Sequence, residues 1–174
     1  QQTVHNEPAD DGTENEFNSE TTYMYYSGTL CRNFTGICGG VKYLNNEITS
    51  KAEFKSPTFK STSEVKYVWN GIGLMLGYMS DGFFANVGYY FMNSLLITEK
   101  STFNSRRREF SGGTAYSLDL GWGFDAGSKV RVGPQFSYVY FDYETVKEDG
   151  DKDTLGYDLK HTQIVPQIAI WYTF

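Results

Sequence analysis

The chain ends with the stretch Ile164-Val165-Pro166-Gln167-Ile168-Ala169-Ile170-Trp171-Tyr172-Thr173-Phe174. Its even positions carry Ile, Pro, Ile, Ile, Tyr and Phe. Because successive side chains of a β-strand point to opposite faces, this alternation predicts a strand with one strongly apolar face. A chain that stops on such a face offers no later segment to cover it. We therefore expect this face to contact lipid or a partner.

Four further runs follow the same alternation. They are residues 65–78, 83–97, 114–124 and 129–143, and each places large apolar residues on one side and small or polar residues on the other. In the second run the apolar side is predicted to include Phe91, Leu95 and Ile97. A soluble sandwich buries its large residues, whereas the lumen of a narrow barrel contains small and polar side chains. The pattern favours a membrane barrel, with a soluble lipocalin-like barrel as the alternative.

The composition is consistent with a β-rich chain. It contains 14 Tyr, 13 Phe, 3 Trp and 18 Gly against 4 Pro and 4 Met, a balance that favours strands and tight turns. Residues 1–20 carry six acidic and no basic residues, which equals the net charge of -6. A polar segment with a single sign of charge is typical of a flexible tail. We therefore expect an acidic tail at 1–20 and a single barrel domain at 21–174. The opening Gln1-Gln2, without Met or an apolar signal segment, is expected of an exported chain after signal removal.

The terminal stretch resembles the last strand of the small outer-membrane β-barrels of Gram-negative bacteria, the group of the OmpA transmembrane domain, OmpX and OmpW. That strand ends in Phe after alternating apolar or aromatic residues. The resemblance implies an all-β, transmembrane, antiparallel up-and-down β-barrel. It also implies outer-membrane lipid and lipopolysaccharide as partners, recognition by the barrel-insertion machinery, and a monomer. The positions that match the assembly signal are Ile168, Ile170, Tyr172 and Phe174.

The lengths of the connections predict the orientation. Residues 80–82 and 125–128 form short turns, expected on the periplasmic side, while residues 98–113 and 144–158 form long connections, expected outside. We expect eight strands, with both termini periplasmic. A six-stranded barrel with a long first loop is the alternative. Before residue 65 the candidate strands are residues 21–29, 39–47 and 48–56.

Two prolines in the last strands carry a prediction of their own. Pro134 and Pro166 both lie on the predicted lipid face, and each removes an N–H donor from the ladder. We expect a local break in pairing between the last two strands around them. Beyond the break we expect a periplasmic girdle of aromatic residues, which prefer the interface. Its members are Tyr78, Phe83, Trp122, Phe124, Tyr172 and Phe174.

Polar residues on the inward side predict a network that fills the lumen, because an unpaired charge in a narrow interior is costly. The predicted members are Asn86, Asp119, Arg131, Gln135 and Gln167.

The two cysteines, Cys31 and Cys38, bracket a turn. In an exported chain this predicts a disulfide across the first outer loop, worth about 2 to 3 kcal/mol, with two reduced thiols as the alternative. We expect no metal site, because no further ligand is near the pair, and no cofactor.

The strongest basic cluster is Arg106-Arg107-Arg108 with Lys100. In an outer loop these residues would be level with lipopolysaccharide phosphates, which guanidinium groups bind through paired hydrogen bonds. A charged, solvent-exposed loop is the alternative. Nucleic acid is not expected as a partner, given the negative net charge.

No catalytic group is predicted. His161 at the start of the last strand resembles the rim histidine of lipid A-modifying barrels, but no serine stands at a matching spacing, so we expect a non-catalytic residue. Two classes of function remain. The first is a non-enzymatic barrel that stabilises the envelope and presents its outer loops for interaction. The alternative is a barrel for passage of small molecules, similar to OmpW, or a lipid A-modifying enzyme.

Overall fold

The computed structural model describes residues 16–148 and 151–172, and this part of the chain is almost entirely β-strand. Among these residues, no helix is long and apolar enough to cross a bilayer. The strands are β1 (Glu16–Phe34), β2 (Ile37–Lys55), β3 (Lys60–Ser80), β4 (Phe83–Ser101), β5 (Ser105–Ser111), β6 (Ala115–Trp122), β7 (Phe124–Asp125), β8 (Val130–Glu148) and β9 (Asp151–Tyr172).

The strands form one antiparallel up-and-down sheet. β1 pairs with β2, β2 with β3 and β3 with β4. β5 and β6 lie one after the other between β4 and β8, β7 continues this path beside β8, and β9 pairs with β8. The sheet is therefore seven strands wide. Its two edges are β1 and β9, which do not pair with each other within the described residues.

The sheet is strongly curled, because side chains on its inner face reach across from one side to the other. Asn46 on β2 donates a hydrogen bond to Gln163 on β9 at 2.7 Å. Trp69 on β3 stacks on His161 of β9, with ring centroids 4.5 Å apart. This curvature gives the sheet an inner and an outer face.

The patterned runs are strands, as predicted, and their faces point as the alternation indicates. On β3 the outward Leu74 and Leu76 are exposed, while Met75 between them is buried. On β6 the outward Leu118 is exposed, while the inward Asp119 is buried.

The strand count and several boundaries differ from the sequence predictions. The described part of the chain has nine strands instead of eight or six, because Gly112-Gly113 and Gly123 divide one strand path into β5, β6 and β7. Residues 39–47 and 48–55 belong to one strand, β2, and β1 already begins at Glu16. The predicted tail therefore overlaps β1 at residues 16–20, and residues 1–15 lie outside the described part.

The prediction of two long outer connections is also wrong. Residues 98–113 and 144–158 mostly lie in β4, β5, β8 and β9, and β4, β8 and β9 have 19, 19 and 22 residues. Charged residues occupy both faces over much of these two segments, so their sequence resembles that of loops. Because the sheet is seven strands wide, β1 begins at the end of the sheet opposite to Tyr172, where β9 ends, and not at the same end as eight strands would require. We call the end with the short turns the lower end, and the opposite end the upper end.

A bulge reverses one assignment of faces. The β3–β4 register shifts between Ile72 and Gly73, opposite Phe91. Phe91 and Met92 are consequently both exposed, and Leu95, expected outside, is buried on the inner face. Ile97, also expected outside, packs against the buried cluster on that face.

The predicted break around the prolines is absent from the β8–β9 ladder, which is continuous from Val130 to Tyr143. Antiparallel residues point their N–H groups alternately toward and away from a given neighbour. Pro134 is opposite Ile168 and Pro166 is opposite Phe136, so the two prolines lie at pairs two positions apart and can both point away from this ladder. The side of Pro134 without an N–H then faces the gap between β6 and β7. The corresponding side of Pro166 faces the outer edge of β9.

The sheet has two halves of opposite polarity. In the lower half the outer face is apolar and the inner face polar. In the upper half the inner face is apolar next to the lower half and carries ion pairs near its upper end, and the outer face bears ion pairs such as Lys66–Glu47 at 2.7 Å and Lys51–Glu64 at 3.6 Å. The buried inner cluster, which begins at the junction of the halves, contains Leu44, Trp69, Tyr90, Leu95, Phe110, Ala115, Val139, Phe141 and Tyr143.

Candidate functional site: an apolar belt around a buried ion pair

An outward apolar belt surrounds the lower half of the sheet. Its stretch on β8 covers residues 130–140, and on β9 residues 164–172, close to the roughly 9 to 11 residues that a tilted strand needs to cross hydrocarbon. A soluble protein seldom exposes a continuous apolar surface of this extent. Exposed members of the belt include Leu30, Val41, Leu74, Leu76, Val87, Leu118, Leu120, Phe136, Ile164, Ile168 and Ile170.

Aromatic side chains bound the belt on both sides. At the upper side Tyr116 stacks on Tyr140 with ring centroids 4.8 Å apart, and at the lower side Phe83 packs against Trp122 at 6.3 Å. The upper set contains Tyr26, Tyr43, Tyr89, Phe91, Tyr116, Tyr138 and Tyr140. The lower set contains Phe34, Tyr78, Phe83, Trp122, Phe124 and Tyr172, which includes the predicted girdle apart from Phe174, which lies outside the described residues.

The inner face at the level of the belt contains a buried ion pair. Lys42 Nζ on β2 contacts Asp119 Oδ2 on β6, and both side chains are almost completely buried. Ser117 Oγ accepts hydrogen bonds from Lys42 Nζ at 2.9 Å and from the Tyr90 hydroxyl at 3.2 Å. The pair links opposite sides of the curled sheet, so it fills the interior and ties the two sides together.

Glycines on the inner face make room for these side chains. A Cβ at Gly88 would lie 2.8 Å from Ser117 Oγ and 3.3 Å from Lys42 Cδ. A Cβ at Gly121 would lie 2.2 Å from the ring of Phe84, which packs edge-on against Trp171 with ring centroids 4.5 Å apart. The small inward residues of the sequence pattern therefore accommodate large side chains from across the interior.

The predicted lumen residues divide into three groups. Asn86 on β4 and Asp119 on β6 lie directly opposite each other in the ladder between these strands. Gln135 and Gln167 both donate to Ser137 Oγ at 2.9 Å. Arg131 lies elsewhere: its Nε donates to Asp125 at 2.7 Å beside the lower turn, so the partner of Asp119 is Lys42 and not Arg131.

Sequence reasoning missed Lys42, Ser117, Tyr90 and Ser137 as members of the interior network. Lys42 had a signal, since it alternates with the outward Val41 and Tyr43 in a glycine-rich segment. Residues 39–47 and 48–56 were predicted as two short strands with a poor pattern, so the alternation around Lys42 did not lead to an inward assignment.

The basic cluster does not form a single patch. Arg106 and Arg108 face inward near the upper end, where they form ion pairs with Glu148 and Glu99. The Arg106 guanidinium lowers the pKa of the Glu148 carboxyl by its hydrogen bond. Arg107 and Lys100 face outward and are exposed, so only these two of the four can meet an external phosphate directly.

His161 lies on the inner face just above the belt. Besides stacking on Trp69, its Nε2 lies 2.7 Å from the Gln163 side-chain nitrogen. Burial lowers the pKa of the imidazole. Both of these neighbours, an indole and an amide, lack the chemistry to serve as a nucleophile.

The Cys31–Cys38 disulfide is present, as predicted. It flanks the turn at Thr35-Gly36, which lies at the lower end together with the other short turns. The disulfide was predicted at the end opposite to the short turns, and it lies instead at the same end as they do. Among the residues that the structure describes, no three His, Cys, Asp or Glu side chains are grouped to hold a metal ion.

A scan against protein-family models and a search of curated proteins found no match to the chain.

Proposed function

We propose that this chain is a non-enzymatic outer-membrane β-barrel protein whose lower half spans the bilayer and whose upper half projects from it. The observation that carries the proposal is the outward apolar belt, bounded by aromatic residues on both sides. Tyr and Trp prefer the membrane–water interface, and a belt of about 25 Å between aromatic girdles is typical of outer-membrane barrels.

The interior supports a structural role in preference to passage of solutes. Lys42, Asp119, Ser117 and Tyr90 occupy the centre at the level of the belt, and Phe84 and Trp171 lie below them. A buried ion pair that links opposite sides is costly to open, because separation leaves each charge without its partner. The barrel we propose is therefore filled by its own side chains.

The upper half supports an interaction role. Its strands carry charged outer faces and an apolar inner cluster, so this half is built like a water-soluble sheet. We propose that it presents the hairpin ends for contact with surface partners. We also propose that Lys100 and Arg107 can contact lipopolysaccharide phosphates, with a smaller basic patch than the sequence implied.

The test is export of the chain behind a signal peptide in a Gram-negative host. We expect the protein in the outer-membrane fraction, with different gel mobility before and after boiling, because closed barrels unfold slowly. Recovery as a soluble periplasmic protein, or identical mobility in both samples, would contradict the proposal.

Two measurements on the same preparation separate the alternatives. Planar-bilayer conductance reports passage of solutes, and mass spectrometry of lipid A reports covalent modification. We expect neither stable channels nor modified lipid A. Discrete channels would favour the passage barrel, and a changed lipid A mass would favour the enzyme.

A further inference from the structure

We propose that β1 and β9 meet along a parallel seam, which closes the sheet into a barrel and is the part of its wall that opens most easily. The inference rests on the proposed membrane location. A backbone N–H or C=O group has no water to bind in hydrocarbon, so a free strand edge does not persist there. Both edges cross the belt, β1 through residues 24–34 and β9 through residues 164–172.

The directions of the strands determine the type of pairing. β1 runs downward from Glu16 to the turn at Thr35-Gly36. β9 also runs downward, because Tyr172 pairs with Val130 beside the turn between β7 and β8. A sheet seven strands wide necessarily has two edges that run in the same direction. Direct contact between them is therefore parallel.

A second copy in the same membrane orientation does not change this result. Both of its edges also run downward, so it offers no antiparallel partner. Closure within one chain brings β1 beside β9 and satisfies both edges at once.

Contacts on the inner face already bridge the two sides of the seam. Asn46, Trp69 and Tyr25 on the first three strands reach Gln163, His161 and Ser137 on the last two. If β1 lies beside β9, strands β2 and β9 are second neighbours. Inward side chains of a narrow barrel can span the distance between second neighbours.

These contacts also limit the relative heights of the two edges. Asn46, the β2 partner of Tyr25, bonds Gln163, and Tyr25 itself lies beside Ser137, the partner of Val165. Tyr25 is therefore level with residues 163–165. Three positions further along both strands, the outward Gly28 is level with residues 166–168, of which Pro166 and Ile168 point outward.

Exposure on the outer face is greatest along β9. Ile164 is 73% exposed and Ile168 is 72% exposed, whereas Leu76, which has neighbouring strands on both sides, is 59% exposed. The β9 residues lack a neighbouring strand on one side. Because parallel pairs are slightly less stable per residue than antiparallel pairs, this seam is expected to open before the other ladders.

The experiment is oxidative cross-linking of cysteine pairs in membranes, in a background with Cys31→Ser and Cys38→Ser. Gly28→Cys is combined in turn with Pro166→Cys, Ile168→Cys and Ile170→Cys. A Cβ at Gly28 meets nothing within 4 Å, so the β1 substitution is tolerated. We expect an intrachain disulfide for Pro166→Cys or Ile168→Cys and a weaker one for Ile170→Cys, since Cα atoms must approach within about 7 Å.

Matched controls use the same Gly28→Cys. Tyr43→Cys, directly opposite Gly28 on β2, should cross-link in any folded protein, and Tyr116→Cys on β6 should not. If the Tyr43 pair links while all three β9 pairs stay unlinked, or link only between chains, the seam is overturned.

Membrane fractionation of the same cells keeps the two proposals separate. Absence of the parent chain from the membrane would refute the proposed function, and with it the reason for the seam. A membrane-bound chain without β9 cross-links would refute the seam alone.

Discussion

At the scale of single residues, the buried Lys42–Asp119 pair is the feature on which the lower half depends most. Both side chains are almost completely buried and have each other as countercharge. Removing one member of a buried pair typically costs about 3 to 5 kcal/mol, because the other charge remains without a partner. The exposed Arg131–Asp125 pair provides a matched comparison, since surface pairs contribute about 0 to 1 kcal/mol.

We therefore expect Asp119→Ala to lower the free energy of unfolding by about 3 to 5 kcal/mol and Asp125→Ala to leave it nearly unchanged. The double variant Lys42→Met/Asp119→Leu should recover part of the loss. Urea titration of the refolded protein in lipid vesicles measures all three. Equal effects of the two single substitutions would contradict the assignment of inner and outer faces.

His161 adds a dependence on pH. Burial lowers the pKa of His161 in the folded chain below its usual value near 6.5. The unfolded chain then binds more protons than the folded chain in this range, so stability is lost as the pH falls from about 7 through the folded pKa. His161→Gln should remove this contribution. The difference in unfolding free energy between wild type and His161→Gln, measured between about pH 7.5 and pH 5, tests it; a constant difference would contradict the buried, neutral imidazole.

At the scale of elements, glycines mark the junction between the two halves. Gly112 and Gly113 separate β5 from β6 with φ of 78° and 71°. At Gly113 an added Cβ would also lie 2.2 Å from the Asp142 carbonyl oxygen, whereas at Gly112 the nearest atom is 3.8 Å away. The positive φ alone costs an L-residue about 1 to 2 kcal/mol.

We expect Gly112→Ala to destabilise the protein by about 1 to 2 kcal/mol and Gly113→Ala to destabilise it more, because only the second adds a collision with the backbone. Gly28→Ala, in an open position on β1, should be near neutral. Denaturant midpoints of the three variants give the order, and a Gly112→Ala effect as large as that of Gly113→Ala would contradict the geometry of the junction.

The same junction explains which strands the sequence could predict. Below it, large apolar side chains alternate with small polar ones, as at Leu118-Asp119-Leu120, and period two identifies the strand. Above it, β5 presents Arg107 outward while Arg106 and Arg108 face inward in ion pairs. Both faces are then charged, and hydrophobic alternation disappears although the ladder continues. Bulges such as the one at Phe91 change the phase without leaving a sequence signal.

The candidate site was predictable to a similar extent. Inward placement of Asn86, Asp119, Gln135 and Gln167 followed from alternation alone. Their partners did not, because Lys42 and Ser117 come from distant parts of the chain and meet only through the curvature of the sheet. Charge balance required a basic partner for Asp119. The alternation along each strand shows which side chains point inward, but it does not show whether Lys42 or Arg131 contacts Asp119.

At the scale of the whole molecule, the outer faces of the two halves differ in polarity. The outer surface changes from apolar to charged within a few residues along each strand. If lipid surrounds the belt, a charge placed there loses its hydration. In membrane barrels Arg or Lys at the middle of the bilayer costs about 2 to 4 kcal/mol. In water the same substitution on an exposed strand residue changes stability by only about 0.5 kcal/mol.

Leu118→Arg, in the middle of the belt, should therefore destabilise the vesicle-embedded protein by about 2 to 4 kcal/mol, while Thr22→Arg on the outer face of the upper half should be nearly neutral. Both positions are exposed and lie on strands, so burial within the protein does not distinguish them. Only the surrounding medium does. Unfolding by urea from phospholipid vesicles gives the two free energies. A neutral Leu118→Arg would mean that water reaches the belt, and the membrane location would then have to be abandoned even though the sheet itself remained intact.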